Sequence, residues 1–255
     1  MSSPPGVRTA LTIVLPCYNE AERLPATLEA YLAHLSRVPG EVEILVVDDG
    51  STDATAAVAE AVAAADARVR VLAKWPNRGK GSAVRAGMLA GRGELLVFTD
   101  ADGSYGPLDL DRIVRALADA PVAIGTRAEA APGSLTRRAA SRVFNLAIRG
   151  LLGLPFRDTQ SGLKGFRRAA AEEVFSRTRL DGFAFDVEAL FLARRLGLEI
   201  AEVSVQAKEC AGSKVRMAVD AQRMLGEVWA VRQAGSQRRL RCSAGPPSAG
   251  QGSLD

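Results

Sequence analysis

Five short apolar runs constrain this chain more than any other feature: Leu11–Leu15, Val42–Val47, Val69–Ala73, Leu95–Phe98 and Val122–Gly125. Each gives way to proline or polar residues, and helical spacing then begins before the next run. An uninterrupted apolar run suits a strand buried on both faces. Strands alternating with helices over short connections give a mostly parallel sheet between helical layers, an α/β architecture. Ligands of such sheets sit at the carboxyl edge of the strands. One rim is therefore expected to collect the residues that follow the runs: Tyr18 and Glu20, Asp48 and Asp49, Lys80, Asp100 and Asp102, and Arg127.

The fourth run ends in the most pointed chemistry. Within Glu94 to Gly106, the run Leu95–Phe98 reads as a buried strand whose carboxyl end delivers Asp100 and Asp102, one residue apart, into a loop. Such a pair can share a hard divalent cation. Mg²⁺ or Mn²⁺ prefers oxygen ligands, keeps waters and is commonly completed by substrate phosphates, so the pair suits a diphosphate better than an all-protein cage. The same residues also suit an ordinary solvated acidic turn. Asn77 to Ser82 opens a helix with glycines at its start, where backbone N–H groups can approach an anion. Its spacing is not that of a P-loop, and no Gly-x-Gly-x-x-Gly follows the first run, which argues against a dinucleotide site.

Helices are expected from Ala21 to Ser36, from a cap at Ser51 or Thr52 to Ala65, and from Pro107 to Ala118. The second half is less regular. A basic helix is predicted over Ser134 to Leu152, then the polar loop Asp158 to Gly162 and a strand over Leu163 to Phe166. Phe185 to Glu188 opens another amphipathic helix, and the last strand is Ile200 to Val205. A C-terminal amphipathic helix is expected over 216–234, with a flexible segment at 1–9 and a disordered, Ser/Gly/Pro/Arg-rich tail at 235–255.

With 255 residues, 47% of them hydrophobic, the chain can bury one substantial core. A net charge of +4 suits anionic ligands or a membrane surface and does not by itself argue for nucleic acid. Cys17, Cys210 and Cys242 show no metal or redox spacing, and no apolar run reaches the length of a membrane span, so a cytoplasmic location is expected. The single histidine, His34, lies in a helical pattern and reads as structural, which removes histidine triads from consideration.

Pro16-Cys17-Tyr18-Asn19-Glu20, Val47-Asp48-Asp49-Gly50-Ser51, Asn77-Arg78-Gly79-Lys80-Gly81, Asp100-Ala101-Asp102 and Gly125-Thr126-Arg127 together resemble the inverting family-2 glycosyltransferases of GT-A fold. Asp158-Thr159-Gln160-Ser161-Gly162, Phe185-Asp186-Val187-Glu188 and Gly212-Ser213-Lys214 are similar to motifs of the polyprenyl-phosphate sugar synthases. The dolichyl-phosphate β-glucosyltransferase branch is nearest and the mannosyltransferases are next. The match runs in order from Leu11 to Leu225, and it implies a GT-A domain over 10–215.

The resemblance implies transfer of glucose or mannose from a nucleotide-diphospho-sugar, UDP-Glc or GDP-Man, to a polyprenyl phosphate, with Mg²⁺ or Mn²⁺. By position, Pro16, Tyr18, Glu20, Asp48 and Asp49 would hold the nucleoside, with Val47, Lys80 and Ala101 also at the substrate. Asp100 and Asp102 would hold the metal-diphosphate, Arg127, Lys208 and Lys214 the phosphates, and Arg137 and Ser141 the acceptor phosphate. The residues implied in catalysis are Asp158, Arg127 and Asp102. The relatives' membrane anchors have no counterpart here, so a peripheral contact with the cytoplasmic membrane face, or a membrane-anchored partner, is expected. Two other readings stay open: a soluble acceptor, and a non-catalytic nucleotide-sugar-binding subunit.

Overall fold

The computed structural model describes residues 9–37, 40–127, 150, 152–159, 161–208 and 226–227. Arg137, Ser141 and Lys214, the helices expected over 134–152 and 216–234, and the two terminal segments lie outside the described residues, wholly or nearly so. In chain order the elements are β1 (Thr9–Cys17), α1 (Leu24–Leu35), β2 (Glu41–Asp48), α2 (Thr55–Ala65), β3 (Val69–Ala73), α3 (Lys80–Ala90), β4 (Leu95–Phe98), α4 (Pro107–Ala116), β5 (Val122–Arg127), β6 (Lys164–Arg167), α5 (Arg168–Phe175), α6 (Phe185–Arg195) and β7 (Ile200–Val205).

The strands form one sheet in the order β3-β2-β1-β4-β6-β5-β7. Alternate side chains of each run go to opposite faces, both of them covered in the central strands, which is why the runs are mostly apolar. Val14, Leu45, Val47, Leu96 and Phe98 pack under α3, α5 and α6. Ile13, Leu15, Ile44, Val46 and Val97 pack under α1, α2 and α4. Phe98, Phe166, Phe175 and Phe185 form an aromatic cluster with ring centroids 5.1–6.5 Å apart, directly beneath the end of β4.

β6 runs antiparallel to both of its neighbours, β4 and β5, while the other pairings are parallel. The reversal matters for the site. Residues entering β6 emerge at the rim where β1, β2, β4 and β5 end, so the Asp158 loop joins that rim from the opposite chain direction. Helix α5 was not anticipated by the sequence reading; its buried face is only Ala170, Ala171, Val174 and Phe175. The expected cap of α2 is also corrected. Ser51 and Thr52 pair with Asp48 and Asn19, and the first turn is held by Asp53 accepting from the Thr55 backbone at 2.9 Å.

Candidate active site

The rim is built on clamped turns. After β1, Asn19 adopts a left-handed φ of +54°, a conformation asparagine tolerates better than most residues. From there its backbone N–H donates to Ser51 Oγ at 3.0 Å, while its side-chain oxygen accepts from Thr52 N at 2.8 Å. The ends of β1 and β2 are thereby locked together. Tyr18 stands exposed on this corner, beside Pro16. Glu20 pairs with Arg23 at 2.5 Å, and Arg23 reaches to 4.0 Å from Asp102. Neither Arg23 nor its bridging position was singled out from the sequence.

Asp48 and Asp49 are both buried and both engaged. Asp48 accepts from the Ser51 hydroxyl and backbone, while Asp49 takes Lys74 Nζ at 2.9 Å and the N–H groups of Arg78 and Gly79 at 3.0 and 2.6 Å. Asp49 thus shapes the turn that leads into α3. Val47 departs from its expected role, because its side chain lies wholly in the core beneath α3 and its strand is paired with Pro16 on one side and Leu72 on the other. The expected anion cradle at the start of α3 is also corrected. Gly79 N is taken by Asp49, and Gly81 N and Ser82 N donate to the Asp181 carbonyl at 2.8 and 3.3 Å. Glycine is required there by close approach: a Cβ on Gly79 or Gly81 would lie 2.5 Å from the carbonyl oxygens of Asp181 or Leu180.

The Asp100–Tyr105 loop is pinned from below. Thr27 of α1 donates to the Ala101 carbonyl at 2.8 Å, and Tyr31 donates to the Tyr105 carbonyl at 2.9 Å. Ala101 therefore turns its methyl into the core, and the carboxylates on either side remain partly exposed, 29% for Asp100 and 26% for Asp102. Asp100 accepts an ion pair from Lys80 at 2.6 Å, and Asp102 accepts from Ser104 N at 2.9 Å. Burial opposes the charge of Lys80, but Asp100 and Asp186 outweigh it and raise the ammonium above its ordinary value.

The second half closes onto this loop. Arg127, at the end of β5, donates from Nε to Asp158 at 2.8 Å. Burial works against its charge too, and Asp158 overcomes it. Tyr105 OH meets Ser161 Oγ at 3.2 Å and accepts from Gly162 N at 3.1 Å. Gly162 lies so close to the metal-ligand candidate that a Cβ there would come within 2.0 Å of Asp100 Oδ2. Lys208, an exposed residue, donates its backbone N–H to the Ser104 carbonyl at 2.8 Å, which ties its main chain to the Asp102 loop. Asp100, Asp102, Lys80, Arg127, Asp158 and Lys208 are thus gathered around one loop. Tyr105 and the buried Lys164 were missed, although a lysine inside an apolar strand, in Ser-Gly-Leu-Lys-Gly-Phe, was a usable signal.

The sequence model described as glycosyl transferase family 2 matches residues 12–175, and the matched segment runs from within β1 to the end of α5. The chain belongs to glycosyl transferase family 2. It is 38% identical to a dolichyl-phosphate beta-glucosyltransferase of Drosophila melanogaster over 229 residues, 80% of this chain and 69% of that protein. It is 32% identical to the Saccharomyces cerevisiae protein of the same name, covering 88% of this chain and 74% of that one. Among solved structures it superposes on glucosyl-3-phosphoglycerate synthase from Mycobacterium tuberculosis, in complex with Mn²⁺, UDP and glucosyl-3-phosphoglycerate. The TM-score is 0.68 at 23% identity, over 88% of this chain and 80% of that one. Mannosyl-3-phosphoglycerate synthase from Rubrobacter xylanophilus gives 0.67 at 23% identity, over 97% and 79%. The fold is the GT-A fold, and the chain is a glycosyltransferase. Among the described residues no helix is long and apolar enough to cross a membrane.

Proposed function

We propose that this glycosyltransferase moves glucose from UDP-glucose to a polyprenyl phosphate, with inversion at the sugar. The observation that carries this reading is the meeting of two halves: the Asp100–Asp102 loop, suited to a diphosphate, is joined through Tyr105 and Gly162 to Arg127 and Asp158. Kinship with dolichyl-phosphate β-glucosyltransferases supports glucose over mannose and a lipid phosphate over a sugar hydroxyl. The donor set fits Mg²⁺ or Mn²⁺. Asp100 and Asp102 offer hard oxygens, and no cluster of three or more His, Cys, Asp or Glu that could hold a metal occurs among the described residues, which leaves room for diphosphate oxygens and water. Bound there, the cation would neutralise charge on the departing diphosphate.

The chain's own residues do the rest. Lys80 and Lys208 supply positive charge at the two sides of the Asp100 loop, and Arg127 faces the acceptor side. An acceptor phosphate oxygen attacks the anomeric carbon as the bond to the nucleoside diphosphate breaks. A phosphate monoester has its second pKa at about 6 and is mostly a dianion near neutrality, so the attacking oxygen needs no strong base. What it needs is cationic surroundings. Asp158 then orients Arg127 rather than taking a proton. Transfer from UDP-glucose and GDP-mannose to a short polyprenyl phosphate is to be followed at about pH 6–9, a range that spans this second pKa. The expected result is a UDP-glucose preference, with Arg127→Ala losing more turnover than Asp158→Asn. The reverse order, with Asp158→Asn nearly inactive at every pH, points to a hydroxyl acceptor. Contact with the membrane face belongs to the same proposal and is read by co-flotation with anionic vesicles.

A further inference from the structure

Just past the end of β3 the rim carries a large apolar side chain in the open. Trp75 is 80% exposed, the most open of the large hydrophobic residues among the described residues. The turn that bears it is nevertheless fixed. Lys74 N donates to the Asp48 carbonyl at 2.8 Å and Lys74 Nζ to Asp49 at 2.9 Å, while on the far side Asn77 Nδ2 donates to the Asp49 carbonyl at 2.9 Å and Arg78 N to the Asp49 carboxylate at 3.0 Å. These bonds bracket Trp75 and hold it to the end of β2. The edge of the ring closes on Gly50, where a Cβ would lie 3.3 Å from Trp75 Cε3. An open indole is thus mounted beside the strand end that carries Asp48 and Asp49.

We propose that Trp75 is a stacking platform for the base of the nucleotide donor. The inference rests on the reading that the donor is a nucleoside-diphosphate sugar with its diphosphate at Asp100 and Asp102. Strand order then fixes where the base goes. β6 and β5, with Asp158 and Arg127, lie on one side of β4, and β1, β2 and β3 lie on the other. With the sugar and acceptor on the Arg127 side, the nucleoside extends over the ends of β1 and β2, and β2 lies two strand spacings, about 10 Å, from β4. There the carboxylates are buried and already accept from the chain, Asp48 from Ser51 and Asp49 from Lys74, Arg78 and Gly79. What this end of the rim holds out to a base is aromatic surface, Tyr18 on the β1 corner and Trp75 beyond β2. An indole offers a wide face on few rotatable bonds, and every base has a π-face to lay on it. Because the turn is held in advance, little ordering remains to be done when the base arrives.

The chain has two tryptophans, Trp75 and Trp229, so Trp229→Phe leaves Trp75 as the only indole reporter. In that protein UDP with Mg²⁺ should quench the fluorescence and shield it from iodide, and inorganic pyrophosphate with Mg²⁺ should do neither. By calorimetry on the otherwise wild-type chain, Trp75→Ala should bind UDP about 5- to 100-fold more weakly, the range for losing one base–aromatic stack, and Trp75→Phe should keep most of the affinity. Pyrophosphate affinity should be the same in all three proteins. In turnover the loss should appear in KM for the nucleotide sugar and not in kcat. Wild-type UDP affinity in folded Trp75→Ala overturns the proposal and leaves the donor reading standing. Fluorescence that responds to anionic vesicles and not to UDP overturns it too, and gives the residue to a membrane surface. Wild-type protein that binds neither UDP nor GDP defeats the donor reading itself, and the inference falls with it. Should Trp229→Phe fail to fold, the calorimetric comparison decides alone.

Discussion

Glu43 and the pair Asp100/Asp102 are acidic groups at opposite edges of the same sheet, and they are treated in opposite ways. Near the amino edge, Glu43 is buried and surrounded by donors from three directions: Thr12 Oγ1 at 2.8 Å, Arg92 N at 3.0 Å and Arg70 Nε at 2.7 Å. At the carboxyl edge, Asp100 and Asp102 keep a quarter or more of their side-chain surface open on a loop anchored by α1. A carboxylate that only holds the fold takes its partners from the chain. One available to a ligand is held in place by its backbone and keeps its oxygens accessible.

The sharpest way to break this contrast is at Asp102. Asp102→Ala should lower turnover by about 10²–10³-fold, the scale of losing one preorganised electrostatic contact, with thermal melting unchanged. Wild-type rates in the variant, or in excess chelator, would remove Asp102 from the metal site. A smaller effect is expected from Gly162→Ala. Its Cβ would meet Asp100 Oδ2 at 2.0 Å, so the carboxylate or the loop must shift, and a displacement of that order costs about 10²-fold or less in kcat. A normal rate with weakened Mn²⁺ binding would separate metal placement from chemistry.

Glu43→Gln should leave kcat per folded molecule alone and lower stability by about 1–3 kcal/mol in urea titration, since its Arg70 and Arg92 partners lose their counter-charge. Burial raises the Glu43 carboxyl, but hydrogen bonds from Arg70, Arg92 and Thr12 outweigh it and hold the group below its ordinary value of 4.5. Its ionised form therefore contributes stability above that ordinary value, and the contribution is lost as pH falls through the lower folded value. The stability gap between wild type and Glu43→Gln should accordingly narrow below about pH 4. A gap independent of pH would show that packing, not charge, sets the Glu43 contribution.

The parallel half was legible because burial on both faces writes itself into composition: β4 falls where its apolar run lies, at Leu95–Phe98, and β2 extends the run Val42–Val47 by one residue at each end. β6 was located to within a residue, but its direction was not readable, because the long stretch between Arg127 and Lys164 permits either sense. α5 was lost because alanines supply half of its buried face. At the site, residue types pointed to Asp100, Asp102, Arg127 and Asp158, whereas the contacts joining them are long-range and leave no local pattern. Gly162 against Asp100 and Lys164 against Asp186 are examples. Gly79 and Gly81 misled in the other direction. Glycine at a helix start serves an anion or a neighbouring backbone equally well, and here the neighbour is the 180–181 segment.

The antiparallel strand has a consequence for how such a protein can diversify. Ile124 and Lys164 are paired across β5 and β6, so the chain that leaves the sheet after Arg127 returns beside its own point of departure. Closing a connection whose ends already meet grows only slowly more expensive with length, by about 0.6 kcal/mol for each doubling. A change of length in this connection thus carries little closure penalty, provided that Leu154, Phe156 and Leu163 keep their places in the core. The length of this connection and the register of the sheet become separable traits, open to selection one at a time.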